Sequence, residues 1–315
     1  MLPSTPPVIR NAWYAAALTT EVGRTPLRRV ILGTPIVLWR TEAGTPVALL
    51  DRCCHRHAPL SPGKLIGDTI ECPYHGLRFD AGGACTFVPG QERIPRRASV
   101  AAYPIIERYG FLWLWPGTPE AADPGRLPHW PWAEATDWSS RVGYFPIGCN
   151  YMLSVDNLMD LSHIGYVHAS TIGSAADGED ATVETLSGPG HVTVRRWLQN
   201  RPPSPGLARR FGTDPVDRWQ VIEFRPPCYI RTFKGLGAGV YGTPGYTFDS
   251  AEANPPDGAL SVSRGCTCIT PATEDSCHYF TVHCHHRPES EAQVDAAWGL
   301  AVEALEQDVE ILEQT

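Results

Sequence analysis

Long apolar runs are missing from this 315-residue chain: none reaches the ~18 residues that a membrane-spanning helix needs. Positive charge is also scarce. Lys and Arg number 26 against 34 Asp and Glu, a net charge of −8, so neither nucleic acid nor an anionic membrane is an expected partner. Met1 to Leu18 holds a single Arg10 and no continuous apolar core, so Tyr14-Ala15-Ala16-Ala17 does not read as a secretory cleavage site. No internal repeat is visible, and no glycine-rich dinucleotide fingerprint occurs. Cysteine, by contrast, is plentiful. Ten of them without an export signal point to free or metal-bound thiols in a reducing, cytoplasmic compartment. Length and a hydrophobic content of 43% allow two domains or one large one.

Two short stretches concentrate the chemistry: Cys53-Cys54-His55 and Cys72-Pro73-Tyr74-His75, with sixteen residues between His55 and Cys72. Each supplies one thiolate and one imidazole from a turn. Such a C-x-H…C-x-x-H pattern suits a Rieske-type [2Fe-2S] cluster, with both thiolates on one iron and both imidazoles on the other. Neutral imidazoles raise the reduction potential to roughly −150 to +300 mV, against about −400 mV for all-Cys plant-type clusters. A structural zinc site also accepts two Cys and two His, but zinc modules usually pair like with like, as C-x₂₋₄-C and H-x₃₋₅-H. Cys54 and His57 are extra donors in the first loop. Only Cys53 and His55 fit C-x-H, so the expected ligands are Cys53, His55, Cys72 and His75.

Short β-branched runs fill the first third: Arg29 to Leu32, Pro35 to Trp39, Val47 to Leu50, and Phe111 to Trp115. Pro116 to Pro131 holds five Pro and two Gly, which sets the expected domain boundary at 125/126, giving domains 1–125 and 126–315. The second domain is expected to carry a helix near 154–164, a β-rich region over 190–286 and a last helix from about Glu289. Arg201 to Gly206 reads as a surface loop.

A second metal site is expected around Asp156 to His168. Asn157, Asp160 and His163 are three apart, which a helix would place along one face. His163 and His168 are five apart and reach one ion only if the helix ends or bends after His163, where Gly165 gives freedom. In the last helix Trp298, Ala301, Leu305, Asp308 and Leu312 form an inward stripe in which Asp308 alone is ionisable. A lone buried carboxylate costs several kcal/mol unless it is paired or binds metal. His163, His168 and Asp308 would make a two-His-one-carboxylate triad, which leaves open positions on Fe(II) for O₂. The Asp160 carboxylate could accept an imidazole N–H from that site.

These motifs resemble the oxygenase (alpha) component of Rieske non-heme iron oxygenases, particularly the vanillate and dicamba O-demethylase branch. Further matching stretches are Arg10 to Tyr14, Val216 to Gln220, Thr270 to Glu274, His278 to Phe280 and Asp308 to Gln314. The resemblance implies an α+β chain, an N-terminal all-β Rieske domain followed by a helix-grip catalytic domain, assembled as a head-to-tail homotrimer. It implies that one subunit's cluster serves its neighbour's iron through an Asp that looks like Asp160, with Asn157 beside the iron. It further implies an NAD(P)H-dependent flavin/[2Fe-2S] reductase, or a ferredoxin, as partner. Two departures stand out. The family usually has Pro where Cys54 stands, which removes a φ restraint from the loop. Its chains also normally continue past the last helix, so an end at Thr315 implies a missing tail or a short product.

The expected activity is a monooxygenase that hydroxylates or O-demethylates a small anionic aromatic compound with O₂. Alternatives are a ring-dihydroxylating dioxygenase or N-demethylase with the same centres, and, from another class, a Rieske electron carrier without a catalytic iron. The β-rich region near 228–246 is expected to line the pocket, with Arg231 or Lys234 as candidate anion binders. His283, Cys284, His285 and His286 read as a surface strand end.

Overall fold

The computed structural model describes residues 8–174, 181–239, 259–286 and 290–315. The fold is α+β, in two compact units. One holds residues up to Pro128 plus Thr270–Phe280; the other holds His129–Ile269 and Thr281–Thr315.

The first unit is all-β. Its strands are β1 (Tyr14–Leu18), β2 (Leu27–Ile31), β3 (Thr34–Arg40), β4 (Pro46–Leu50), β5 (Lys64–Ile66), β6 (Thr69–Glu71), β7 (Arg78–Phe79), β8 (Cys85–Phe87), β9 (Ile105–Arg108) and β10 (Phe111–Leu114). They form three small sheets ordered β1-β10-β9, β2-β3-β4 and β5-β6-β7-β8. The β2–β3 hairpin turns on Leu32 and Gly33, both at positive φ (50° and 72°), the two-residue geometry that matches strand twist. Leu32 tolerates that conformation because its N–H donates to Pro271 O and that of Gly33 to Ala272 O. Trp39, Leu49, Leu60, Ile70 and Phe79 pack into one core together with Cys53 and Cys72. Both thiols therefore grow out of this packed core.

The second unit is built on one seven-stranded sheet, β11-β17-β16-β15-β14-β13-β12. Its elements are β11 (Trp138–Ile147), α1 (Tyr151–Met159), α2 (Ile164–Val167), β12 (Thr182–Gly188), β13 (His191–Arg201), α3 (Pro205–Phe211), β14 (Val216–Arg225), β15 (Tyr229–Gly237), β16 (Ala259–Pro271), β17 (Cys277–His286) and α4 (Glu291–Leu312). Trp219 pairs across with Gly235, where an added Cβ would lie 2.0 Å from the indole. Trp298 of α4 seats on β11 at Gly143 in the same way, 2.7 Å from where a Cβ would stand. On α4, Val294, Ala297, Ala304, Leu305, Asp308 and Leu312 are buried. Each large apolar side chain in that stripe contributes roughly 1.5–3 kcal/mol.

Two sequence expectations change in detail, and a third falls partly outside the described residues. The Arg201–Gly206 stretch is not wholly loop, because Pro205 and Gly206 open α3; proline suits the first helical turn, where its missing N–H goes unused. The helix expected near 154–164 stops at Met159. The pocket stretch 228–246 lies outside the described residues beyond Gly239.

Candidate metal centres and substrate cavity

The two cysteine loops share one backbone design. Cys53 N–H donates to Ala58 O and Cys72 N–H to Leu77 O, both at 2.8 Å. His57 N–H returns to Cys53 O and Gly76 N–H to Cys72 O, both at 3.0 Å. The residues that close these turns, His57 and Gly76, both have positive φ (57° and 73°). His57 is thus the counterpart of Gly76, a turn-closing residue, which explains its place in a motif where it looked like a spare ligand. The His55 and His75 rings stand 4.7 Å apart and are exposed, while Cys53 and Cys72 are buried. Burial, together with the hydrogen-bonded Cys72 thiol, pushes the Cys53 thiol up to about 11. Two buried thiols side by side and two imidazoles at the surface form a donor set split as a Rieske cluster requires. Cys54 is half-buried and packs against the same core.

Asp51 holds the first loop in place. Its buried carboxylate accepts from Leu60 N (2.6 Å), Ser61 N (2.7 Å) and Ser61 Oγ (2.7 Å), with Arg28 Nε at 3.2 Å.

The second centre lies in the other unit, on α1, the turns after it, and α4. Asn150 caps α1, its side chain accepting from Met152 N. The helix breaks at Asp160 (φ −95°, ψ 103°), so Asn157, Asp160 and His163 do not share one helix face, and the bend comes before His163 rather than after it at Gly165. Asp160 ends α1 and caps the next turn, its Oδ1 accepting from Ser162 N at 2.8 Å. Those Ser162 hydrogen bonds hold its carboxyl below the usual range. Its backbone carbonyl, not its carboxylate, accepts from His163 Nδ1, at 2.5 Å.

This bend brings the three expected donors together. His163 Nε2 and His168 Nε2 are 3.2 Å apart, and Asp308 Oδ1 lies 3.5 Å and 3.1 Å from them. These separations are those of three ligands on one face of an ion ~2 Å from each. Asn157 Nδ2 donates to the same Oδ1 at 3.1 Å. The buried His168 donates from Nδ1 to Gln307 Oε1 at 2.9 Å. Its pKa is raised: burial opposes the charged form, but the hydrogen bonds with Asp308 and Gln307 outweigh it. The donor set fits a divalent iron.

The same unit holds a cavity of ≈ 130 Å³, close to the ~150 Å³ that admits benzene in an engineered protein core. None of the three donors lines it, but Lys234, which does, is within electrostatic reach of Asp308 and His168. Arg196, Arg210, Arg218 and Lys234 line it, with Trp219 and Leu198 among its apolar wall, and no carboxylate lines it among the described residues. Burial pulls the Lys234 pKa down, with Asp308 acting in the opposite direction. Arg231, the other expected anion binder, is instead held by buried Glu223, which takes its Nε at 3.0 Å and Nη2 at 2.7 Å. The His283–His286 stretch ends β17, as expected, but its side chains are half-buried or buried rather than at the surface. His285 lines the cavity, His283 faces Trp298 at 5.5 Å, and His286 pairs with Asp137 at 3.2 Å. Arg196, Arg210 and Gln307 carry no local motif, and only the fold reveals them.

A [2Fe-2S] loop pair on one unit and a two-His-one-carboxylate site on the other define an oxygenase that takes up single electrons and spends them on O₂. The chain belongs to the Rieske non-heme iron oxygenases of the vanillate O-demethylase type: residues 12–104 match the Rieske [2Fe-2S] domain and residues 147–315 the vanillate O-demethylase oxygenase C-terminal domain. It is 36% identical to the toluene-4-sulfonate monooxygenase system iron-sulfur subunit of Comamonas testosteroni, over 97% of this chain and 87% of that one. It is 38% identical to the dicamba O-demethylase oxygenase component of Stenotrophomonas maltophilia, over 86% and 77%. The crystal structure of dicamba monooxygenase bound to 3,6-dichlorosalicylic acid superposes with a TM-score of 0.86 at 34% identity, covering 97% of this chain and 87% of that one. Its cofactors are a Rieske [2Fe-2S] cluster and a mononuclear non-heme iron. No helix among the described residues is long and apolar enough to cross a membrane.

Proposed function

We propose that the chain is a monooxygenase component that hydroxylates a methoxy or methyl carbon of a small anionic aromatic compound. Cys53, Cys72, His55 and His75 would hold the cluster, and His163, His168 and Asp308 the iron. The observation that carries this is a benzene-sized, carboxylate-free cavity with four cationic side chains in the same unit as a three-donor iron site, one of those cations, Lys234, interacting with Asp308. When bound, the two metal groups supply single electrons and the oxidation of substrate by O₂. For a methoxy group, O₂, two electrons and two protons give a hydroxylated carbon and water. The hemiacetal then collapses to a phenol and formaldehyde.

The residues of this chain provide position and charge. Trp219 and Leu198 offer an apolar wall for a ring, while Lys234 and Arg210 face an acid group. Arg196 Nη1 donates to Leu161 O at 3.1 Å and so braces the turn that carries His163. Electrons would come from a separate NAD(P)H-dependent flavin/[2Fe-2S] reductase or a ferredoxin, in the cytoplasm. The exposed, ionised Asp160 suits a contact with His75 of a second copy in a head-to-tail trimer.

The test is a panel of methoxy- and methyl-aromatics, carboxylated, sulfonated and neutral, assayed with a reductase for NADH-dependent formaldehyde release and hydroxylated product. Turnover of the acids, with Lys234→Met raising their KM at least ~10-fold, supports the proposal. Turnover of the neutral compounds alone overturns it.

A further inference from the structure

We infer that Gln307 is a positioning residue that sets the tautomer of His168 and ties that imidazole to the helix forming one wall of the cavity. This rests on the reading of His163, His168 and Asp308 as iron ligands. Gln307 Oε1 faces His168 Nδ1 at 2.9 Å and Thr171 Oγ1 at 3.0 Å, and its Nε2 donates to Ser170 Oγ at 3.2 Å. A carbonyl oxygen only accepts, so His168 Nδ1 keeps its hydrogen, and Nε2, the nitrogen facing His163 and Asp308, is the one that gives up its proton when an ion binds. With the amide reversed, its NH₂ would donate to Nδ1. That would put N–H at Nε2, where no ion could then bind. The carbonyl of Asp160 fixes His163 in the same sense. Both imidazoles are thereby held ready for metal, one by backbone and one by a side chain adjacent to the carboxylate ligand.

The same amide reaches the cavity. Thr171, fully buried, passes its hydroxyl to Gln307, and its carbonyl accepts from Gly206 N at 3.0 Å in the first turn of α3. A Cβ on Gly206 would lie 2.6 Å from Thr171 O and 2.6 Å from Leu300 Cδ1, so the helix is seated directly on this turn. Leu207, Arg210 and Phe211 of α3 line the cavity. A continuous run of hydrogen bonds, His168–Gln307–Thr171–Gly206, therefore joins a metal ligand to the substrate wall.

The experiment uses the full chain with its cluster intact, emptied of mononuclear metal by chelation and titrated with Co(II) and with Fe(II). Gln307→Leu removes the acceptor at similar volume and should weaken binding ~10–100-fold. Gln307→Glu keeps an acceptor-only atom and should bind within ~3-fold of the parent or tighter, with the parent's Co(II) spectrum. The visible spectrum of the cluster should be unchanged in both. A packing role would make the two variants alike, so equal affinities for Leu and Glu overturn the tautomer assignment. Thr171→Val cuts the middle link and should both weaken metal binding and raise substrate KM. If neither changes, the link to α3 is wrong. Should Gln307→Leu fail to fold, Gln307→Glu and Thr171→Val decide between the same outcomes. Loss of metal binding in His163→Ala tests the ligand set separately, so failure of that reading is distinguishable.

Discussion

Asn157 and Asp308 meet through one oxygen: the amide Nδ2 donates at 3.1 Å to the same Oδ1 that faces both imidazoles. The bond joins α1 to α4 across the site and orients the carboxylate with its charge toward His163 and His168. Asn157→Leu preserves volume and removes the donor. The expected outcome is a 10–100-fold weaker iron site, read by metal titration, with the cluster unaffected.

Asp160 is expected to matter for electron delivery rather than for metal retention. Its carboxylate is exposed and only caps a turn, so Asp160→Asn keeps the shape and loses the charge that strengthens a hydrogen bond to a second copy. Both metal centres should be retained and the cluster should reduce normally. Turnover should fall at least ~100-fold, about 2.7 kcal/mol in barrier terms. Sedimentation should show a trimer; an active monomer would refute the inter-subunit contact.

Asp51→Ala should loosen the first cluster loop. It removes a buried acceptor of three hydrogen bonds and orphans two backbone N–H groups. Hydrogen bonds to a charged group are worth roughly 1.5–3 kcal/mol each before relaxation, so a loss of about 2–4 kcal/mol is expected in urea unfolding. Faster bleaching of the cluster in air should accompany it.

Stability should fall on mild acidification because of two half-buried histidines. Burial, then the charge of Lys234, pushes His283 down to about 3; burial, then Arg210, pushes His285 down to about 4. In the unfolded chain both titrate near ~6.5. Their contribution is therefore complete above that value and is lost as pH falls toward 4, where the unfolded state binds more protons. Between pH 7 and 5 the parent should lose roughly 2–4 kcal/mol more than a His283→Gln/His285→Gln variant, measured by urea unfolding. Equal losses would contradict the assignment.

Sequence spacing was enough to pick out Cys53, His55, Cys72 and His75 as donors that the fold brings together, because they are local to two turns. Asp308 was legible for a different reason: an ionisable residue interrupts an apolar helical stripe. The bend at Asp160 was misplaced toward Gly165, since an aspartate that both ends one helix and caps the next turn resembles a helix-face residue in a 3.6-residue pattern. Arg231 and Lys234 sit on one strand with like charge, and only the cross-strand Glu223 separates the paired residue from the cavity-lining one. Gln307, Thr171 and Arg210 come from elements distant in sequence, so no periodicity could join them.

The most direct test of two metal centres is iron stoichiometry with spectroscopy on anaerobically purified protein. The parent should be red-brown, hold about three iron atoms per chain and show, when reduced, the low-average-g resonance of a mixed His/Cys cluster. Asp308→Ala should hold about two, with an unchanged visible spectrum and no turnover. A colourless parent holding stoichiometric zinc, or an Asp308→Ala variant that keeps all its iron and its activity, would contradict the account.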